Sequence, residues 1–364
     1  MKTIASLAAA LGLLIAGPAV SATQVTGDRI DGVAVIEKLD VSDLPAGQIS
    51  RFYFRVVDQS VGQGWYVPIL VAKGAKPGKK LLLTAGIHGD EYNGIDVIHR
   101  LFADLDPATL SGTVVAIPGL NQPGLLNATR NYSGSVYASA LNLNRQMPGD
   151  VHSDEVAEVY AARLWNQIFI GNADQAIDLH TQSRGTLYPI YAFAETAEAR
   201  RMADMIRPDM IKMDAGVKGT VENMLNAAGV PSVTLELAGP ERFDPVAIGR
   251  GLTGVRNVMK DMAILPGKPV LEGPEPFVGN LSQDVSAPRG GYAHILVKLG
   301  DPITKGQTLA TIADPFGRTV ATVTAPISGR ALSIGTSPAR EIGALLVRIL
   351  AWSDAEPCKP TSCH

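Results

Sequence analysis

Leu81-Leu82-Leu83-Thr84-Ala85-Gly86-Ile87-His88-Gly89-Asp90-Glu91 is the stretch that decides the fold. Its first five residues form a short apolar run that suits a buried strand. Gly86 breaks the run, and a helical pattern follows from about Glu91 to Ala103. Upstream, Ile49–Val57 and Trp65–Ala72 are rich in β-branched and aromatic residues and predict a hairpin. Downstream, strands are expected at Thr113–Pro118, Ala176–His180, Thr186–Phe193 and Ser232–Leu237. Helices are expected from Ser153, as N-cap, to Ile170, and at Thr196–Ile206, Val221–Ala228 and Val246–Ile264. Strands alternating with helices predict an α/β layered sheet with helices on its faces.

The pattern changes at Leu265. Pro266, Pro269, Pro274 and Pro276 mark residues 265–276 as a linker. Short strands with glycine and proline turns then predict a small all-β domain over 277–350, followed by a tail, 351–364. The α/β domain is therefore expected over 23–264. Residues 1–22 carry Lys2, an apolar run from Ile4 to Val20 and small residues at Val20-Ser21-Ala22, the pattern of a secretory signal peptide. The competing reading is an uncleaved membrane anchor. A secreted or periplasmic protein with no stable membrane insertion after signal cleavage is the expectation. Within 364 residues, 46% hydrophobic and 18% charged, the net charge is -3, with none of the basic footprint of a nucleic-acid binder. Cys358 and Cys363, the only cysteines, suggest a disulfide in an oxidising compartment. They cannot form a four-cysteine zinc site, so any metal needs His and carboxylate ligands.

His88 and Glu91 stand three apart where a strand passes into a helix, and strand ends in open α/β sheets are where ligands bind. The pair can reach one metal; the bland alternative is a turn with Glu91 in the first helical turn, where the helix dipole favours it. In Ile177-Asp178-Leu179-His180, alternation puts Asp178 and His180 on one face. His180 completes two histidines and one glutamate, the set zinc hydrolases use while leaving a position open. Asp178 is either a partner that holds a ligand histidine or a backbone-capping carboxylate. Glu236 lies in the apolar run Val233-Thr234-Leu235-Glu236-Leu237, and a buried carboxylate there has the profile of a general acid/base or of a structural ion-pair partner. Residues Gln122–Met147 form a long polar segment of the kind that is usually functional. It carries Arg130 and Asn142-Leu143-Asn144-Arg145, where arginines can grip a carboxylate or face an oxyanion.

In this order and context His88-Gly-Asp-Glu91, the Asn-Arg pair, Asp-Leu-His180 and Glu236-Leu-Ala-Gly-Pro resemble the succinylglutamate desuccinylase/aspartoacylase family of the zinc carboxypeptidase superfamily, from about residue 79 to about 350. The resemblance implies a mixed sheet with helices on both faces, zinc carboxypeptidase-like, and a small barrel-like β domain that walls off the substrate channel. It implies one Zn2+ per chain on His88, Glu91 and His180. Glu236 would activate the attacking water and protonate the leaving amine, Arg130 would polarise the scissile carbonyl, and Asn144 with Arg145 would bind the carboxylate of a small-molecule substrate. Asn142 departs from the family's Asp-x-Asn-Arg. Ala325-Pro326-Ile327-Ser328-Gly329 resembles a biotinyl/lipoyl-type barrel, but without a Met-Lys-Met carrier hairpin. Tyr292 and His294 either line the channel or are ordinary barrel residues. The reading that follows is a zinc-dependent deacylase cleaving the amide of a small N-acyl amino acid. The alternatives are a carboxypeptidase acting on peptides and a non-catalytic zinc-containing periplasmic binding protein.

Overall fold

The computed structural model describes residues 22–135, 139–359 and 363, so all but the last residue of the expected signal peptide lies outside the described residues. Lys76–Ala85 (β5 below) explains the architecture. Leu81, Leu83 and Ala85 enter one apolar cluster and Leu82 enters another, because successive side chains point to opposite faces. A strand apolar on both faces must be covered on both.

The strands in chain order are β1 (Gln24–Ile30), β2 (Val33–Lys38), β3 (Gln48–Asp58), β4 (Gly64–Lys73), β5, β6 (Ser111–Pro118), β7 (Gln175–His180), β8 (Thr186–Leu187), β9 (Ile190–Ala194), β10 (Met210–Met213), β11 (Ser232–Leu237) and β12 (Phe277–Gly279). All but β8 form one mixed sheet in the order β1-β2-β3-β4-β6-β5-β7-β11-β9-β10-β12. Its centre, β6-β5-β7-β11, is parallel. The helices are α1 (Asn93–Asp104), α2 (Gln122–Asn127), α3 (Val156–Leu164), α4 (Ala197–Ile206), α5 (Val221–Ala227) and α6 (Pro245–Asp261). Val97 of α1, Met202 of α4 and Val255 of α6 pack on one face, and Tyr160 of α3 and Leu225 of α5 on the other.

Several elements differ from the sequence reading. The expected strand Thr186–Phe193 is two strands in two sheets, split at Pro189, whose ring fixes φ and removes a ladder donor. Ser153 caps only a turn, accepting from the Glu155 amide; the helix starts at Val156 and closes in a π turn, Trp165–Phe169. Phe277–Gly279, read as the start of the small β domain, pairs with β10 as an edge strand of the large sheet.

The remaining strands are β13 (Leu281–Ser286), β14 (Gly291–Ile295), β15 (Pro302–Ile303), β16 (Thr308–Ala313), β17 (Thr319–Thr324), β18 (Gly329–Gly335), β19 (Ala339–Arg340) and β20 (Leu345–Ala351). They make two sheets, β13-β20-β18-β15 and β17-β16-β14-β19, with Val285 and Ile349 of one and Ala293 and Ile312 of the other in a shared core. No ladder joins the two sheets among the described residues, so the region is a two-sheet sandwich here rather than a closed barrel. β8 pairs with β18 and ties this sandwich to the large sheet. Cys358 and Cys363 form a disulfide, and the Cys363 amide donates to the Glu195 carbonyl beside β9.

Buried Asn93 locks the start of α1 to the end of β11. Its Nδ2 donates to the Leu237 carbonyl at 2.8 Å, and its Oδ1 accepts from the Asp244 amide at 2.9 Å. Asn93→Ala leaves both backbone groups without this partner and is expected to cost about 1–3 kcal/mol. The urea midpoint measures it; an unchanged midpoint would show that water replaces the amide at no loss.

Candidate active site

The parallel register sets the site. Thr84, Asp178 and Thr234 are aligned across β5, β7 and β11, and one step further along His180 is level with Glu236. These polar residues share one face near the carboxyl ends of the strands. Antiparallel β9 adds Tyr191 opposite Glu236 and Phe193 opposite Thr234.

His88 and Glu91 reach the same point from the turn after β5. A Cβ on Gly89 would fall 1.9 Å from the Gly124 carbonyl carbon, so only glycine lets this turn lie against α2. Glu91 sits between the two imidazoles. Its Oε1 faces His88 Nδ1 at 2.9 Å and its Oε2 faces His180 Nδ1 at 3.0 Å. The far nitrogens are occupied: His88 Nε2 by Asn142 Oδ1 at 3.1 Å and His180 Nε2 by Asp178 Oδ2 at 2.8 Å. An acceptor on Nε2 fixes the proton there and leaves the Nδ1 lone pair for a metal. The three ligand atoms lie within 4.8 Å of one another, all in buried residues. Two imidazoles and one carboxylate with a free position are a zinc hydrolase set, and this is a single Zn2+ site.

Asp178 also accepts from the Thr84 hydroxyl at 2.6 Å, so it holds His180 rather than capping backbone. Burial works against the Glu91 anion, but His88 and His180 hold it well below the usual carboxylate range. Burial likewise opposes the His180 cation, and Asp178 and Glu91 outweigh it, raising the pKa well above the ordinary imidazole value. Glu236 is 8% exposed, and its Oε2 has no hydrogen-bond partner among the described residues. Burial pushes its pKa up to about 8, partly offset by His180.

Glu91, His180 and Glu236 line a cavity of about 370 Å³, which suits a small ligand. Arg130, Asn144 and Arg145 line it too. Arg130 donates to Glu91 Oε1 at 3.2 Å and to the Ser183 hydroxyl. Arg145 donates to the Asn144 carbonyl and has no carboxylate partner among the described residues; burial and the Arg130 charge lower its pKa. Asn144 lies beside His180, with Nδ2 at 3.4 Å from its Nε2.

A family model described as the succinylglutamate desuccinylase/aspartoacylase catalytic domain matches residues 77–262, just over half of the chain. The chain belongs to this family. N-alpha-acetyl-L-2,4-diaminobutyric acid deacetylase of Halomonas elongata is 27% identical over 301 residues, 79% of this chain and 84% of that protein. The succinylglutamate desuccinylase of Serratia proteamaculans is 26% identical over 195 residues, 49% of this chain and 58% of that one. Among solved structures, the product-bound ectoine utilization protein EutE (DoeB) of Ruegeria pomeroyi superposes with a TM-score of 0.75 at 20% identity, covering 85% of this chain and 98% of that one. A succinylglutamate desuccinylase/aspartoacylase from Rhodobacter sphaeroides gives 0.76 at 21%, covering 87% and 98%. The family and the ligand set make the chain a zinc-dependent amidohydrolase.

Asn142, the position that departs from the expected Asp-x-Asn-Arg pattern, contacts the ligand histidine His88 through a neutral amide oxygen. Sequence reasoning missed Ser183, which donates to Glu91 Oε1 at 2.8 Å, and Tyr188, Tyr191 and Glu222, which line the cavity. It expected the small β domain to wall the channel, and Ser282 of β13, Leu332 of β18 and Arg348 of β20, all in one sheet of the sandwich, line the cavity. Tyr292 and His294 sit on β14 in the other sheet and are absent from the lining. Arg348, held by Asp284, donates to the Tyr188 hydroxyl at 3.1 Å. No periodicity could have paired Tyr188 with Arg348, which stand 160 positions apart in the chain.

Two outcomes follow from this geometry. Removing a group that orients a ligand histidine costs about 10–100-fold in metal affinity, so Asn142→Ala should weaken zinc by that factor in competition with a chelating dye. Unchanged affinity would show that Asn142 does not orient His88. The second concerns metal-free protein and pH. A carboxyl raised from its unfolded value to about 8 contributes stability that is complete below the unfolded pKa and is lost as pH rises towards 8. Metal-free Glu236→Gln lacks that loss. It should melt higher than metal-free wild type at pH 8.5 and level with it near pH 4.5; equal melting at both pH values would contradict the raised pKa.

Proposed function

We propose that the protein removes the acyl group from an N-acylated amino acid, acetyl being the favoured acyl group, in an exported compartment. The observation that carries the reading is the buried Glu236 carboxylate, level with His180 in the register and with Oε2 unpartnered among the described residues, lining a cavity that also holds two arginines. The cavity volume fits a small amino acid derivative better than a peptide chain, which favours a deacylase over a carboxypeptidase. The Halomonas relative, a deacetylase of an N-acetyl amino acid by name, supports the same choice.

Bound zinc supplies Lewis acidity, polarising a carbonyl and bringing the pKa of a water towards ~7. The chain's own groups do the rest. Glu236 takes the proton of the attacking water through Oε2, and a pKa near neutrality matches that task. Arg130 faces the oxygen on which negative charge develops. Asn144 and Arg145 bind the carboxylate of the amino acid, with the Arg145 guanidinium free to make two parallel bonds. Glu236 then returns its proton to the departing nitrogen, and carboxylate and amine leave.

Three further assignments belong to this proposal. Residues 23–264 carry the chemistry, and the two-sheet sandwich from Leu281 to Ala351 narrows the channel, joined through 265–276 and the edge strand β12. Export is supported by the leader-like residues 1–22 and by the Cys358–Cys363 disulfide. No helix of the described residues is long and apolar enough to cross a membrane.

Glu236→Gln should keep zinc and fold while losing about 10²–10⁴-fold in kcat, since glutamine has the same shape but cannot accept the proton. Metal content, melting temperature and turnover of an N-acetyl amino acid check it. Near wild-type turnover would remove Glu236 from the mechanism and leave the deacylase assignment without its base.

A further inference from the structure

One contact in the cavity wall crosses from the sandwich to the large sheet and leaves a hydrogen-bond donor unused. Arg348 of β20 stands directly opposite Asp284 of β13. Asp284 takes Nε and Nη2 of the guanidinium, and Nη1 donates to the Tyr188 hydroxyl at 3.1 Å. Tyr188 follows β8, which pairs with β18, and comes just before β9, which pairs with β11, so both domains hold it. Its ring meets Tyr191 edge to face, with centroids 4.8 Å apart, and the two hydroxyls are hydrogen-bonded. Tyr191 is 1% exposed and donates in that bond, because the reverse would strand its own buried hydrogen at the cost of desolvation.

The Tyr188 oxygen therefore accepts twice, from Arg348 and from Tyr191, and its own hydrogen is left over. No group takes that hydrogen among the described residues, and Tyr188 lines the cavity. Burial first, and then the Glu236 charge, raise the Tyr188 pKa above the ordinary phenol value, so the hydroxyl is a donor at neutral pH. Accepting from a guanidinium polarises the hydroxyl and strengthens it as a donor. Register places it: His180, Glu236 and Tyr191 stand level on β7, β11 and β9, so the tyrosine pair is on the far side of Glu236 from the metal ligand. Arg130 is bonded to Glu91, on the metal side. The cations at the tyrosine end are already paired, Arg348 with Asp284 and Lys212 with Asp214. With the Glu236 carboxylate nearby, this end repels a second carboxylate and suits an uncharged oxygen.

We propose that Tyr188 is a further substrate-binding residue, which donates to an uncharged oxygen of the substrate, a carbonyl or hydroxyl outside the scissile amide, and that Arg348 is its positioning residue. This rests on the deacylase reading above. The contact lies away from the oxygen on which charge develops, so it is made equally in the ground state and the transition state. Such a contact acts on KM rather than on kcat. The sandwich then does more than narrow the channel: through Arg348 it fixes the direction of a donor that belongs to the large domain.

The test uses the zinc-loaded full chain and two matched pairs of compounds. Nα-acetylasparagine is set against Nα-acetylleucine, which has the same branched shape without the side-chain oxygen. N-glycolylalanine is set against N-propionylalanine, which has a methyl group for the hydroxyl. Tyr188→Phe keeps the ring packing and should lower the kcat/KM ratio of the oxygen-bearing to the apolar member by about tenfold in at least one pair, through KM. The pair that responds shows which half of the substrate Tyr188 reads. Arg348→Met keeps its stem in place and leaves the half-exposed Asp284 solvated. It should lower the same ratio in wild type and add nothing in Tyr188→Phe. Ratios that Tyr188→Phe leaves unchanged in both pairs, or a loss confined to kcat, overturn the assignment while leaving the deacylase intact. An equal loss from Arg348→Met in both backgrounds overturns its positioning role, since Arg348 would then act on the substrate by itself. Absence of turnover on all four compounds counts against the deacylase reading. Calorimetric binding of the same four then decides Tyr188: no binding, or a binding ratio that Tyr188→Phe does not change, overturns it.

Discussion

The site depends on one buried carboxylate held between two imidazoles. Glu91 is reached by a turn from one strand and His180 by the end of the next, and they meet because β5 and β7 run parallel and in register. Buried charges of this kind are tolerable only when every lone pair is used. Here the backbone amide of Thr181 and the hydroxyl of Ser183 complete the Glu91 oxygens. The tight turn that delivers Glu91 needs Gly89 against α2, so backbone packing between the two ligands of the turn controls their placement.

A second layer keeps the ligands aimed. Asp178 grips His180 and is itself fixed by Thr84, while Asn142 grips His88. The two layers differ in charge. A carboxylate on His180 raises that ring's basicity, and a neutral amide on His88 orients without adding charge. Glu236 is treated in the opposite way: it is buried level with the ligands but denied a partner for one oxygen. The cavity thus holds a fully partnered carboxylate, Glu91, beside one with an unpartnered oxygen, Glu236, the contrast on which the proposed division between metal holding and proton transfer rests.

The small sandwich matters to the chemistry because the chain crosses into it early. Pro189 divides β8 from β9, sending β8 to the sandwich and β9 to the large sheet, so Tyr188 stands at the junction and meets Arg348 there. The cavity is closed on one side by residues about 100 to 160 positions away in the chain, an arrangement that ties the family's zinc-dependent deacylase site to small N-acyl amino acids.

Much of this was legible in the sequence because short-range periodicity carries it. The Leu81–Ala85 run, the His88–Glu91 spacing, the Asp178/His180 face and the anomaly of Glu236 in an apolar strand all follow from alternation within a few residues. The N-terminal strands β1 and β2, the transfer of Phe277–Gly279 to the large sheet and the division at Pro189 did not, because strand partnership depends on which edge is free after folding. Asn142's hold on His88, Ser183's bond to Glu91 and Glu222's burial in the cavity wall were also beyond sequence pattern. Each depends on two segments brought together by the sheet, and an isolated Asn, Ser or helix-N-terminal Glu reads as ordinary surface polarity until its partner, or its lack of one, is fixed in space.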